Sequence, residues 1–154
     1  MPQIVTSYVE LHICHKSTEG YKFLLLKRSD TNKIYPGIWQ MITGTIESHE
    51  NTKAALLREL AEETGLKPVK IYSIPRINTF YLAVSDRICM SPVFLAIVDK
   101  TDVKISSEHT QYKWGSFEEA VKLIHWPNQV ESLETIRKYL DNDELLSKLV
   151  EIKI

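Results

Sequence analysis

The stretch that decides the fold covers residues 44–66 and reads Gly-Thr-Ile-Glu-Ser-His-Glu-Asn-Thr-Lys-Ala-Ala-Leu-Leu-Arg-Glu-Leu-Ala-Glu-Glu-Thr-Gly-Leu. Its second half predicts a helix that begins after Asn51, because an asparagine side chain at that position accepts a hydrogen bond from a backbone N–H of the first turn. Gly65 is expected to end the helix, since glycine adopts the left-handed backbone conformation at low cost.

The predicted helix has an apolar face and an acidic face. Three residues spaced three or four apart are expected to pack on a core: Ala54, Leu57 and Ala61. Glu59, Glu62 and Glu63 follow the i, i+3, i+4 spacing, so their carboxylates share one face. Like charges at this spacing destabilise a helix by roughly 0.2–0.5 kcal/mol per pair. A divalent cation that prefers oxygen ligands would relieve the repulsion, and a solvated acidic face is the alternative.

The spacing of the whole stretch favours the cation. Gly44 is followed after five residues by Glu50, and after seven more by Arg58-Glu59-Leu60-Ala61-Glu62-Glu63-Thr64-Gly65-Leu66. This pattern resembles the complete Nudix box, and seven fixed positions at roughly 7% usage each coincide about once in 10^8 placements. The resemblance implies an α/β (α+β) Nudix fold, in which an α/β/α sandwich with a mixed β-sheet carries a loop–helix–loop. It also implies hydrolysis of a nucleoside diphosphate linked to another group, with Mg²⁺ as cofactor and Mn²⁺ as a substitute.

The resemblance assigns the roles of individual residues. The metal ligands it implies are the backbone carbonyl of Gly44 and the carboxylates of Glu59, Glu62, Glu63 and Glu108. The catalytic residues it implies are Glu59, Arg58, Glu50 and Glu108. Arg58 and Glu50 are expected to hold the loop against the helix as an ion pair. Either Glu59 or Glu108 takes the proton of the attacking water, and an exposed turn residue is the alternative reading of Glu108.

The bulk composition is that of an ordinary globular domain. The chain has 154 residues, 44% of them hydrophobic and 25% charged, and a net charge of −1; residues 1–154 are therefore predicted to form a single domain. Without a basic block, binding to a nucleic acid polymer is not expected. No apolar run approaches the ~20 residues that span a bilayer. We expect a cytoplasmic monomer or homodimer, no membrane partner, and buried thiols at Cys14 and Cys89.

Period-two alternation predicts a half-buried strand over residues 5–13, with His12 and His15 as surface residues. Ser17 to Gly20 is expected to turn the chain into a second strand. The strands expected further along are 21–27, 38–43, 69–74 continuing through 76–81, 92–98 and 111–115. The helices expected after them are 117–124, 126–140 and a short one that Asp143 caps and that ends near Val150.

Three side chains are candidate contacts for the substrate. Arg28 follows the second strand, and its guanidinium offers phosphate a bidentate fork; a solvated loop end is the alternative. Trp39 and Tyr81 are candidates to stack on a base or a pterin, with core packing as the alternative for Trp39.

Short segments outside the box resemble one branch of the family, the dihydroneopterin triphosphate/dATP pyrophosphohydrolases. They are Trp39-Gln40 with Thr43-Gly44, Arg76 with Asn78-Thr79, Glu108-His109 with Tyr112-Lys113-Trp114, and Trp126 with Asn128. The residues Ile42-Thr43-Gly44 depart from the common Pro-Gly-Gly, which argues against the branch that removes 8-oxo-dGTP. The resemblance implies that a (deoxy)nucleoside triphosphate or dihydroneopterin triphosphate is split into a monophosphate and pyrophosphate. The alternatives are a diadenosine tetraphosphate hydrolase and a catalytically silent, nucleotide-sensing Nudix domain.

Overall fold

The computed structural model describes residues 1–154, which form a nine-stranded sheet with helices on both faces. The strands are β1 Gln3–Val5, β2 Tyr8–Ser17, β3 Gly20–Arg28, β4 Trp39–Gln40, β5 Ile42–Thr45, β6 Lys70–Leu82, β7 Arg87–Ile97, β8 His109–Gly115 and β9 Val150–Ile152. The helices are α1 Thr52–Thr64, α2 Phe117–Leu123, α3 Pro127–Leu140 and α4 Asp143–Leu146, and a 3₁₀ turn covers Ala83–Ser85.

The sheet is mixed, as the sequence predicts. Its central order is β4-β3-β2-β7-β6-β9, with β5 beside β2 and β8 beside β3. β1 and β2 both run parallel to β7, and every other pair of neighbouring strands is antiparallel. β6 and β7 form a long hairpin whose register shifts between Ile74 and Ile77, around Pro75, which has no N–H to donate to the ladder.

Each face of the sheet carries its own hydrophobic core. On one face, Leu56 and Leu60 of α1 pack against residues of β2, β3 and β7. On the other face, Ala120 of α2 joins Leu133 and Ile136 of α3 in a second cluster. The molecule is therefore the α/β/α sandwich that the sequence predicts.

The inward face of α1 differs from the predicted one. Ala54 and Ala61 are exposed and Leu57 is half-buried, whereas Leu56 and Leu60 are fully buried. Ala54, Leu57 and Ala61 follow a helical period, and so do Leu56 and Leu60. The period alone therefore does not show which of these two sets is buried. Glu59 and Glu63 lie on this true inward side and face the sheet, whereas Glu62 is exposed.

The prediction for the first strand was wrong in its limits and in its exposure. β2 begins at Tyr8, Gln3–Val5 forms a separate strand, and His12 is completely buried rather than a surface residue. Nε2 of His12 lies 2.6 Å from a carboxylate oxygen of Glu10, and Glu10 also accepts a hydrogen bond from Asn78. Because His12 pairs with Glu10 inside the protein, β2 can be buried on both faces although its apolar and polar residues alternate. His15 is half-buried, with Nδ1 3.1 Å from the carbonyl oxygen of Val98.

Three other boundaries also differ from the sequence predictions. The strand expected over 38–43 is broken at Met41, whose N–H donates to the side chain of Gln129 instead of to a neighbouring strand. The last helix is capped by Asn142 and ends at Leu146, and Val150–Ile152 pairs with β6 as β9. The turn after Ser17 and the helices after Ser116 and Trp126 lie where they were predicted, whereas the strand expected over 92–98 begins earlier, at Arg87.

Both cysteines are free and buried, as predicted, and burial raises the pKa of the Cys14 thiol to about 12. None of the helices combines the length with the apolar composition that a membrane-spanning helix needs.

Candidate active site

The ends of α1 are fixed by its own side chains and backbone. The Asn51 carboxamide accepts a hydrogen bond from the N–H of Ala54 at 2.9 Å, and Gly65 ends the helix with φ 69° while its N–H donates to Ala61. Both caps agree with the sequence prediction. Because the two ends are fixed, the buried carboxylates of Glu59 and Glu63 between them are held at a defined position against the sheet.

Arg58 connects the helix to the loop before it. Its guanidinium donates twice to Glu50, at 2.5 and 3.1 Å, and once to the backbone oxygen of Thr45 at 2.9 Å. It also donates to Glu59 at 2.9 Å and to Glu62 at 3.3 Å. The hydrogen bonds from Arg58 lower the pKa of Glu50 to about 2, and the surrounding carboxylates raise the pKa of Arg58. The predicted ion pair therefore joins the loop, the helix and the carboxylates.

The Glu59 side chain lies directly against the backbone of Gly44 in β5. A Cβ atom placed on Gly44 would come within 2.5 Å of Cγ and 2.7 Å of Oε1 of Glu59. Because Cβ atoms essentially never come this close to another heavy atom, any side chain at position 44 would force the Glu59 side chain to move. Glycine is therefore required at position 44 so that the Glu59 carboxylate can reach the backbone of β5.

Glu63 is buried and lacks a full set of partners. It is 6% exposed, and its Oε2 atom has no hydrogen-bond partner. Burial raises the pKa of this carboxyl to about 8, and the negative charges of Glu59 and Glu108 contribute to the increase. Buried polar atoms in folded proteins are nearly always paired. A buried carboxylate with a free oxygen, next to a second acidic group, is suited to bind a cation.

Two basic side chains line the same position from β3 and β8. Arg28 and His109 are paired in the sheet register, and Nε2 of His109 lies 4.0 Å from Oε2 of Glu63. Burial, together with the charge of Arg28, lowers the pKa of His109 to about 4. Nε of Arg28 is buried without a partner. His109 was missed as a site residue in the sequence, although its position directly after Glu108 was a signal.

Glu108 lies in the exposed turn before β8. Its backbone oxygen accepts hydrogen bonds from the N–H of Ser29 at 2.8 Å and from the side chain of Asn32 at 3.1 Å. Its carboxylate makes no hydrogen bond to the protein, yet its charge acts on the pKa of Glu63. Glu108 thus lies beside the buried carboxylates with its own side chain free.

The other two candidate contacts lie on different elements. Trp39 of β4 is half-buried and packs against the core under α2 and α3. Tyr81 lies near the tip of the β6–β7 hairpin, 59% exposed, and its hydroxyl donates to Asp86 at 2.8 Å. The structure does not bring these two rings together.

The residues around Gly44 fit a divalent cation. The donor set consists of carboxylates, which are the ligands that Mg²⁺ prefers, and Glu63 contributes an oxygen with no other partner. No three acidic, histidine or cysteine side chains converge closely enough to enclose an ion by themselves. A cation held here would complete its shell with water or substrate oxygens, as Mg²⁺ commonly does. One surface groove lies elsewhere, beside α3, and its lining includes Arg76 and Glu131.

Comparison with known proteins points the same way. A family model for the NUDIX domain matches residues 12–136. A dihydroneopterin triphosphate diphosphatase of Haemophilus influenzae is 32% identical over 134 residues, which are 79% of this chain and 80% of that protein. The nucleoside triphosphatase NudI of Escherichia coli is 29% identical over 133 residues, 81% of this chain and 92% of that protein. The solved dihydroneopterin triphosphate pyrophosphohydrolase of E. coli shares the fold, with a TM-score of 0.68 at 21% identity over 90% of this chain and 99% of its own.

Proposed function

The chain belongs to the Nudix hydrolase family, and from this premise we propose that it is a metal-dependent pyrophosphohydrolase of a (deoxy)nucleoside triphosphate or dihydroneopterin triphosphate. The products would be the corresponding monophosphate and pyrophosphate. The named relatives of about 30% identity act on substrates of these two classes. The single observation that carries the proposal is the contact of Glu59 with Gly44 beside the unpaired oxygen of Glu63.

Enzymes of this family generally use divalent metal ions, and we propose Mg²⁺, with Mn²⁺ as a substitute. The residues proposed to hold the ion are Gly44, through its carbonyl, and Glu59, Glu62 and Glu63, and Glu108 would join them in the alternative in which Glu59 takes the proton. When bound, such an ion lowers the pKa of a bound water and offsets charge that builds on phosphate oxygens.

The loop–helix ion pair is proposed to position the carboxylates. Arg58 holds Glu59 and Glu62 with one nitrogen while its other nitrogens hold Glu50 and the backbone of Thr45. This arrangement fixes the directions of the Glu59 and Glu62 carboxylates before the substrate arrives. Preorganisation of this kind avoids a reorganisation cost during the reaction.

Glu108 is the proposed acceptor for the proton of the attacking water. The Glu59 carboxylate already accepts a hydrogen bond from Arg58 at 2.9 Å, whereas the Glu108 carboxylate has no partner in the protein. A free carboxylate beside the site can take a proton without breaking a contact that holds the ligands in place.

Arg28 is the proposed phosphate contact. Its Nε lies buried without an acceptor at the edge of the acidic cluster, so a phosphate oxygen would satisfy it. Trp39 and Tyr81 remain proposed contacts for the heterocycle on the grounds of the sequence alone.

The experiment is a substrate panel in Mg²⁺ with both products separated by chromatography. It would contain dihydroneopterin triphosphate, the dNTPs, 8-oxo-dGTP, diadenosine tetraphosphate, ADP-ribose and NADH. Pyrophosphate release from the pterin or from a dNTP would support the proposal. Release of ATP and AMP from the dinucleotide alone, or tight nucleotide binding without turnover, would overturn it.

A further inference from the structure

The outer half of the β6–β7 hairpin has an apolar face that no helix covers. Nearer the middle of the sheet, Phe94 and Ala96 of β7 lie in the hydrophobic core under α1. Because side chains alternate along a strand, the preceding even-numbered residues lie on the same side of the sheet. They are Ile88, Met90 and Pro92, and each is only half-buried. The sheet therefore extends beyond the part of this side that α1 covers.

Strand pairing widens this face on both sides of β7. Residues that are opposite each other in neighbouring strands have their side chains on the same face. The seven residues that the register brings together here are Ile77, Thr79 and Tyr81 of β6, Ile88, Met90 and Pro92 of β7, and Ile4 of β1. We call this set the hairpin face. Ile4, Ile77 and Tyr81 are 66%, 56% and 59% exposed, so its outer residues lie open at the surface.

The hairpin face is large enough for a specific contact between proteins. Free aliphatic and aromatic side chains expose roughly 100–200 Å² each, so the hairpin face presents about 500 Å² of mostly apolar surface. An apolar patch of this size on a single chain is often functional. Two such faces packed together would bury about 1,000 Å² in total, which is the area at which specific protein–protein interfaces begin.

The chemistry of the hairpin face favours a second copy of the same chain as the partner. None of its seven residues carries a charge at neutral pH. In a twofold dimer the same patch lies on both sides, so a charged residue near the axis would face its own copy, and here none does. Two sheet faces of this kind pack about 10 Å apart with interdigitated side chains. Surfaces that bind lipid usually add Lys or Arg to their apolar groups, and this face has neither.

We propose that the hairpin face is the interface of a homodimer, in which the sheets of two chains pack face to face around a twofold axis. The inference does not depend on the proposed reaction, because none of the residues near the acidic cluster takes part in it. The two proposals for Tyr81 exclude each other, since in the dimer its ring packs on the partner chain and not on a heterocycle.

Sedimentation equilibrium at increasing concentrations of the full chain tests the dimer. The mass of the wild type is expected to rise from that of one chain, 17.8 kDa, toward twice this value. Ile77→Glu and Ile4→Glu each place a carboxylate on both copies of the interface. Each should raise the dissociation constant of the dimer by at least about tenfold, the effect expected at a central apolar contact. Circular dichroism shows whether each variant keeps its fold.

Val69→Glu is the matched control. Val69 is 52% exposed, close to the value for Ile77, but it lies before the opposite end of β6, about 25 Å along the strand. This variant should dimerise like the wild type. If Ile77→Glu does not fold, Ile4→Glu on a different strand decides the question.

Three results would overturn the inference. The first is a wild type that keeps the mass of one chain at every concentration, and a monomer that sediments with phosphatidylcholine vesicles would assign the face to lipid instead. The second is an unchanged dissociation constant in a folded Ile77→Glu or Ile4→Glu. The third is an equal loss of dimer in Val69→Glu, which would show that any added charge has the same effect.

Discussion

The carboxylate of Glu59 lies where a side chain on Gly44 would have to be, with only 2.5 Å between a Cβ at position 44 and Cγ of Glu59. Gly44 is in β5 and Glu59 is in α1, so this contact sets how closely the helix approaches the sheet at the candidate active site. The Nudix box therefore begins with a glycine because the Glu59 side chain leaves no space for a Cβ atom, and not because the backbone there needs a special conformation.

Gly44→Ala should therefore impair turnover more than folding. The methyl group displaces the Glu59 side chain, and a displacement of about 1 Å at a catalytic group costs on the order of 10²-fold in rate. The measurement is kcat/KM together with the circular dichroism spectrum. Thr43→Ala, at the exposed neighbouring position, is the control and should retain activity. Wild-type turnover in Gly44→Ala would show that the Glu59 position does not matter.

The Glu50–Arg58 pair should make stability depend on pH at the acidic end. The hydrogen bond from Arg58 lowers the pKa of Glu50 from 4.5 to about 2. A carboxyl whose pKa is lowered by folding contributes stability that is fully present above pH 4.5 and is lost as the pH falls toward 2. In EDTA, the difference in Tm between the wild type and Glu50→Gln should be constant from pH 5 to 8 and shrink below about pH 4.5. A difference that stays constant down to about pH 2.5 would contradict this account of the pair.

Glu62→Gln should separate activity from stability. The side chain is 60% exposed, so the free energy of unfolding should change by no more than about 0.5 kcal/mol. Turnover in Mg²⁺ should fall by more than about tenfold, the lower end of what removing a supporting group from a metal site costs. Glu134→Gln, an exposed glutamate on α3, is the matched control in both measurements. Unchanged turnover at matched stability would remove Glu62 from the site.

The buried face of α1 can be tested by a pair of neighbouring leucines. Leu56 is fully buried, so Leu56→Ala should lower the free energy of unfolding by about 2–5 kcal/mol. Leu57 is half-buried, and Leu57→Ala should cost less. Urea titration with linear extrapolation measures both. A larger loss for Leu57→Ala would mean that the helix packs on the face first predicted from the sequence.

Local rules predicted a large part of the fold. The helix caps at Asn51 and Gly65, the pairing of Arg58 with Glu50 and the start of the helix after Ser116 all depend on residues close together in the chain. Such contacts follow from spacing, and the structure confirms them.

What the sequence did not predict depends on contacts between distant segments. The burial of His12 needs Glu10 and Asn78, which is 68 residues from Glu10. The place of His109 beside Glu63 depends on the pairing of β8 with β3. The buried face of α1 was predicted wrongly because two sets of apolar residues follow the helical period. Only packing against the sheet decides which of the two sets is buried. Each of these needs the tertiary structure before it can be seen.

The central claim is that the carboxylates beside Gly44 hold a divalent ion for hydrolysis. The most direct measurement is turnover of the best substrate of the panel as Mg²⁺ is titrated, in the wild type and in Glu63→Gln. We expect turnover of the wild type to saturate with Mg²⁺, to stop in EDTA and to yield pyrophosphate, and we expect Glu63→Gln to be inactive at the same Mg²⁺ concentrations. Turnover that persists in EDTA, or that is equal in the two proteins, would contradict the claim.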